Sequence, residues 1–159
     1  MRAVLQRVKS AQVDIDGTCV GRCGKGFLVL LGVEVSDTAE QADILAAKIG
    51  KLRVFEDEAG KMNRSIVDVG GEFLVVSQFT LYANCRHGNR PDFLRAARPE
   101  TAIPLYEYFM DKLRALSLPV EHGVFGADMQ VTLQNDGPVT IILDTDEWKK
   151  TSEGKGGAL

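Results

Sequence analysis

Ten residues constrain the fold of this chain more than any others: "GFLVLLGVEV", Gly26 to Val35. The run is almost continuously apolar, and such a run fits a strand buried on both faces. Two helical patterns can cover it. Asp37 and Glu40 make a capping-box-like start, and behind them Ala42, Leu45, Ala46, Ile49 and Leu52 recur at helical spacing until about Gly50 to Arg53. A second helix is predicted with Thr101 as its cap and Pro104 in its first turn. It turns Ile103, Tyr106, Phe109, Met110, Leu113 and Leu116 inward. Met1 to Val8, Gln12 to Asp16, Glu72 to Val76, Val120 to Phe125, Met129 to Leu133 and Val139 to Asp144 read as further strands. Asp16-Gly17 is a hairpin signal, "EDEAGKMN" a turn, and "NDGP" the turn between the last two strands. The order of elements predicts an α/β or α+β domain over residues 1–150, a mixed sheet covered by two main helices. The tail 151–159 has no apolar pattern and is predicted to be mobile.

A length of 159 residues suits one domain with one sizeable core. No apolar run approaches the roughly 20 residues that span a bilayer, and the N-terminus lacks a signal-peptide core, so no membrane association and a cytoplasmic location are expected. With three cysteines and no CxxC pair, no disulfide framework is expected. His87 and His122 have no ligand spacing to the cysteines, so neither a metal nor another cofactor is expected. A net charge of −3 argues against indiscriminate coating of nucleic acid but permits a local basic patch.

The chemistry sits in two stretches. In "LVVSQFTLYANCRHGNRPDF" the buried strand Leu74 to Val76 passes directly into Ser77, Gln78, Phe79 and Thr80. One reading is a strand turning polar where it meets water. The other is a pocket floor, with main-chain N–H groups and a hydroxyl aimed at a reacting carbonyl. The familiar hydrolytic arrangements are missing: there is no G-x-S-x-G elbow, His87 has no orienting carboxylate in view, and Cys85 two residues from His87 is not a spatial pair. In "LQNDGPVTIIL", Gly137-Pro138 satisfies an ordinary turn. Only about 5% of X–Pro bonds in folded proteins are cis, so propensity gives no ground for expecting one before Pro138.

Together the two stretches resemble the motifs of the D-aminoacyl-tRNA deacylases. "SQFTL", Ser77 to Leu81, and "NDGPVT", Asn135 to Thr140, match the family's signatures, with Asp136 in a variable place. "MRAVLQRV" at the start agrees too, and so does "GNRPDF", where Asp92 replaces the usual serine. The resemblance covers Met1 to Lys150.

The resemblance implies a single domain with barrel-like β layers and a homodimer that needs no metal. It implies hydrolysis of the ester between a D-amino acid, or glycine, and the 3′-terminal adenosine of tRNA. Ser77, Gln78, Phe79 and Thr80 would form the catalytic floor, with N–H groups near Phe79 and Thr80 stabilising the oxyanion and the ribose 2′-hydroxyl helping to activate water. Thr80 would position rather than attack, since no base is in view. Gly137 and Pro138, joined by a cis bond, would reach into the partner's pocket and exclude L-side chains, anchored by Arg7. Phe125 and Met129 have a spacing able to line an adenine pocket; core packing is the alternative. Arg86 and Arg90 lie in a cationic stretch, either a solvated loop or a contact for acceptor-stem phosphates. Two other functions compete: an editing domain of the same fold that clears an L-amino acid, and an inert dimer that binds tRNA.

Overall fold

The apolar run is a strand, and both its faces are covered. The computed structural model describes residues 1–149; Lys150 and the tail expected over 151–159 lie outside the described residues. Strand β3, Gly26–Gly32, sends Phe27, Val29 and Leu31 to one face and Leu28 and Leu30 to the other. The first face packs under helix α1, Ala39–Lys51, and helix α2, Pro99–Arg114. Phe27 meets the rings of Phe55 and Phe73 there, at centroid distances of 5.1 and 6.3 Å. The second face joins Val8, Val13, Leu74 and Val76 in a separate interior cluster. Each fully buried Leu or Phe contributes about 1.5–3 kcal/mol of transfer free energy, so these two clusters, not the short hairpins, set the stability.

Strand β1, Arg2–Ile15, is the spine of the sheet. Along one edge it pairs antiparallel with β3 through Arg2 to Val8 and then with β2, Thr18–Cys23, through Ala11 to Ile15. Along the other edge it pairs with β8, Gln130–Asp144, over nearly its whole length. After α1, the short strands β4, Phe55–Glu56, and β5, Met62–Arg64, form a separate hairpin. Strand β6, Glu72–Ser77, runs parallel to β3, and β7, Val120–His122, runs parallel to β6. The sheet curls until β2 meets β7: the Arg22 N–H donates to the Glu121 carboxylate at 3.0 Å. A Cβ on Gly21 would stand 2.5 Å from the His122 carbonyl oxygen, so only glycine permits that approach. The result is a mixed, nearly closed barrel-like sheet with two helices, an α/β single domain. Among the described residues no helix is long and apolar enough to cross a membrane.

The hairpin expected at Asp16-Gly17 is present, with φ of 49° and 78° as a two-residue turn requires. Three expectations are corrected. The expected pairs of strands at each end of the chain are single strands, because β1 and β8 are each other's partner throughout and neither has to reverse direction. Lys9 and Ser10, which break the alternation, are where β1 changes neighbours from β3 to β2. The box of α1 is built by Thr38 and Gln41. Asp37 is taken elsewhere: one carboxylate oxygen accepts from the buried Met1 amine at 2.8 Å, the other from the Glu34 N–H at 2.7 Å. Helix α2 starts at Pro99, not at a Thr101 cap, since a proline at the first position sacrifices no bond, and Pro104, expected in the first turn, lies inside the helix.

Candidate active site

In parallel pairing, alternate residues of a strand bond to alternate neighbours. On β6 the Phe73 N–H donates to Pro119 and the Val75 carbonyl accepts from Gly123, both on the β7 side, whereas the Gln78 N–H donates to Leu31 of β3. Ser77 therefore faces the β7 side, and β7 has already ended at His122. The chain then tightens into one 3-10 turn, Phe79–Tyr82, closed by Leu81 N–H to Gln78 carbonyl at 3.2 Å and Ala83 N–H to Thr80 carbonyl at 3.1 Å. The first two N–H groups of such a turn have no partner within it. Those of Phe79 and Thr80 find no protein acceptor among the described residues. The Gln78 carboxamide donates to the Thr80 hydroxyl oxygen at 2.7 Å, which orders both side chains at the mouth.

Phe79 is 55% exposed, and its ring stands edge-on to Phe93 at 5.1 Å. Phe93 follows the base of the cationic loop. That base is an antiparallel bridge between Asn84 and Asp92, closed by main-chain bonds of 2.8 and 3.1 Å. The Asp92 carboxylate adds bonds from the Asn84 amide and the Leu94 N–H, which gives the aspartate a structural part in the loop. Arg86 and Arg90 are exposed on that loop and form no ion pair among the described residues.

The second motif is not a turn. Gln6 pairs with Thr140 and Val8 with Asn135, so Arg7 alone stands opposite four residues, Asp136 to Val139. These four bulge from β8, with the Gly137-Pro138 peptide cis and both residues exposed. Arg7 is 5% exposed. Its Nε donates to the Asp136 carbonyl at 3.0 Å and its Nη1 to the Val54 carbonyl at 2.7 Å. The Asp136 and Glu56 carboxylates lie 3.6 and 3.8 Å from the guanidinium.

Within one chain the two motifs are far apart. Ser77 aligns with Leu31, Leu31 with Ala3, and Ala3 with Leu143, whereas the bulge sits opposite Arg7. Three strand spacings and four residues of strand rise separate them, on the order of 20 Å along the sheet.

Phe125 and Met129 are each half-buried and belong to different clusters, Phe125 to the helix side and Met129 to the barrel interior. Phe125 stands edge-on to Tyr106 at 6.4 Å and lines a cleft of about 380 Å³ with Ile103, Met110 and His122. Tyr106, identified from the sequence only as an inward helix residue, donates its hydroxyl to the Val75 carbonyl at 2.8 Å. A tyrosine on an otherwise apolar helix face is the available signal, since a buried phenol needs a partner.

Fold and site together define a small α/β domain with main-chain donors at an open strand end. A family model described as D-Tyr-tRNA(Tyr) deacylase matches residues 4–144. The chain is 58% identical to the D-aminoacyl-tRNA deacylase of Thermus aquaticus over 92% of this chain and 97% of that one. It is 57% identical to the D-aminoacyl-tRNA deacylase of Thermomicrobium roseum over 100% and 99%. A solved structure named c-Myc DNA Unwinding Element Binding Protein superposes with a TM-score of 0.85 at 45% identity, covering 91% of this chain and 98% of that one. Another, of a probable eukaryotic D-amino acid tRNA deacylase, gives 0.78 at 17% identity over 89% and 97%, a likeness of fold. The chain belongs to the D-Tyr-tRNA(Tyr) deacylase family, a family of hydrolases.

Proposed function

We propose that this chain hydrolyses the ester between a D-amino acid and the 3′-terminal adenosine of tRNA, releasing both, in the cytoplasm. Beyond family membership, the observation that carries the reading is the pair of N–H groups at Phe79 and Thr80 that have no acceptor among the described residues, beside a hydroxyl and a carboxamide already bonded to each other. An aminoacyl ester is an activated substrate. Two fixed donors that stabilise the oxyanion, with water aided by the ribose 2′-hydroxyl, supply what its hydrolysis needs. Thr80 positions rather than attacks, because its oxygen already accepts from Gln78 and the exposed His87 has no carboxylate partner among the described residues.

Chirality is enforced by a second copy. Gly137 and Pro138 project on a bulge too far from Ser77 to serve their own chain, which favours delivery across a dimer into the partner's site. Main-chain carbonyls held by Arg7 form a barrier that no rotamer can swing aside; hydrogen passes at that position and an L-side chain does not. Glycine on tRNA(Ala) passes for the same reason. Phe125 and Met129 flank the adenine, and Arg86 and Arg90 meet acceptor-stem phosphates.

A second reading, a non-catalytic nucleic-acid-binding protein, draws on the name of the structural relative at 45% identity. One experiment separates the readings: tRNA charged with D-Tyr or L-Tyr is incubated with the purified protein. Release of D-Tyr with L-Tyr spared is expected. Binding without release favours the second reading, and release of L-Tyr favours an editing domain.

A further inference from the structure

Strand β7 is only three residues long, and its last rung onto β6 is the Gly123 N–H to the Val75 carbonyl, at 3.0 Å. The next main-chain group on that edge of β6 is the Ser77 N–H, which has no strand opposite it among the described residues. Tyr106 of α2 stands there instead. Its hydroxyl donates to the same Val75 carbonyl at 2.8 Å, giving that oxygen two donors. The Ser77 N–H lies near enough to the phenol oxygen to favour its ionised form, without a hydrogen bond between them. Burial pushes the Tyr106 phenol up, against the pull of Arg114 and of that N–H, so the group stays a neutral donor. The Tyr106 ring, 4% exposed, is itself held between the helix-side core and Phe125.

We infer that Tyr106 is a positioning residue: its hydroxyl replaces the missing next rung of β7 and sets the direction in which the Ser77 to Thr80 main chain leaves the sheet. The inference rests on the proposed reaction for its catalytic consequence and on geometry alone for the rung. A strand end without a neighbour is free to splay. Two N–H groups meant for one oxyanion must keep their spacing, and a misplacement of about 1 Å can cost a hundredfold in rate. The Phe125 contact joins the cleft beside α2 to the same strand end through one side chain.

The test is Tyr106→Phe, which keeps the ring and its packing and leaves Gly123 bonded to Val75. Tyr108→Phe is the comparison: Tyr108 is half-buried on the same helix, and its hydroxyl donates to Asp43 at 2.6 Å, away from β6. Tyr106→Phe is expected to lower kcat on D-aminoacyl-tRNA about ten- to a hundredfold, with KM within about twofold. Tyr108→Phe keeps the wild-type kcat. By amide hydrogen exchange, Ser77 in Tyr106→Phe exchanges several-fold faster while Gly123 is unchanged. A wild-type kcat in Tyr106→Phe overturns the positioning role. Ser77 and Gly123 loosening together, with a matching fall in melting temperature, overturns it as well, since the hydroxyl would then be a general brace. If the wild type releases no D-amino acid, the proposed function fails while the exchange data still decide the rung.

Discussion

The Arg7 guanidinium holds the Asp136 carbonyl at 3.0 Å while its other arm holds the Val54 carbonyl at 2.7 Å. One buried side chain thus ties the bulge of β8 to the segment that follows α1. Lysine cannot span both acceptors, because it lacks the planar fork. Arg7→Lys is expected to lower stability by about 1–3 kcal/mol, the cost of leaving a buried carbonyl short of a donor. It should also raise hydrolysis of L-aminoacyl-tRNA relative to D. Urea unfolding and the ratio of D to L rates check both.

Gly137 has φ +126°, and a Cβ there would lie 3.0 Å from Val139 Cγ2 and 3.2 Å from Arg7 Nη2. Gly137→Ala therefore displaces the bulge at a local cost of about 1–3 kcal/mol. D-aminoacyl-tRNA hydrolysis should fall with the circular dichroism spectrum unchanged. In a dimer that shares its sites, mixing this chain with one inactivated at Gln78 restores about a quarter of the sites, because half the dimers are mixed and each has one intact site. No recovery on mixing would place both motifs in the same subunit's site.

Asp37 and the Met1 amine are both buried and lie 2.8 Å apart, with Thr145 accepting a second bond from the amine at 2.8 Å. Removing one partner of a buried pair strands the other charge. Asp37→Asn should cost about 3–5 kcal/mol, read as a lower urea midpoint, with kcat per folded molecule unaltered.

Burial, and secondarily Glu72, pushes the Cys23 thiol up to about 12. A raised thiol pKa keeps the protonated form at every pH below it, and only the thiolate reacts. Iodoacetamide at mildly alkaline pH should alkylate exposed Cys19 and Cys85 and spare Cys23 in the native protein, with all three reacting after unfolding. Peptide mass spectrometry reads the outcome.

Arg86 and Arg90 carry charge on a loop whose base is locked by Asn84 and Asp92. Replacing both by alanine should weaken tRNA binding and make the plot of log K against log salt shallower by about one to two units. An unchanged slope would remove these two residues from the RNA contact.

Both helix faces and the doubly buried β3 are legible in the sequence because periodicity reports burial directly. The continuity of β1 and β8 is not, since Lys9-Ser10 and "NDGP" carry the local chemistry of chain reversal and only the choice of partner shows otherwise. Thr38 is hidden as a cap behind Asp37, whose carboxylate serves an amine distant in sequence. The site strings are plain in the sequence, but their function depends on geometry. That Phe79 and Thr80 have N–H groups with no acceptor among the described residues follows from where a 3-10 turn begins, and the part inferred for Tyr106 follows from where β7 stops.

β1 borders three strands at once, so its length cannot drift. One residue inserted between Val8 and Ala11 would turn every later side chain to the opposite face, driving Asp14 into the barrel interior and Val13 out of it. The tip of the β4–β5 hairpin is different: the Asp57 carboxylate gathers the N–H groups of Ala59 and Lys61 without help from the main sheet. Insertions and deletions in natural variants of this chain are expected at that tip and absent from β1.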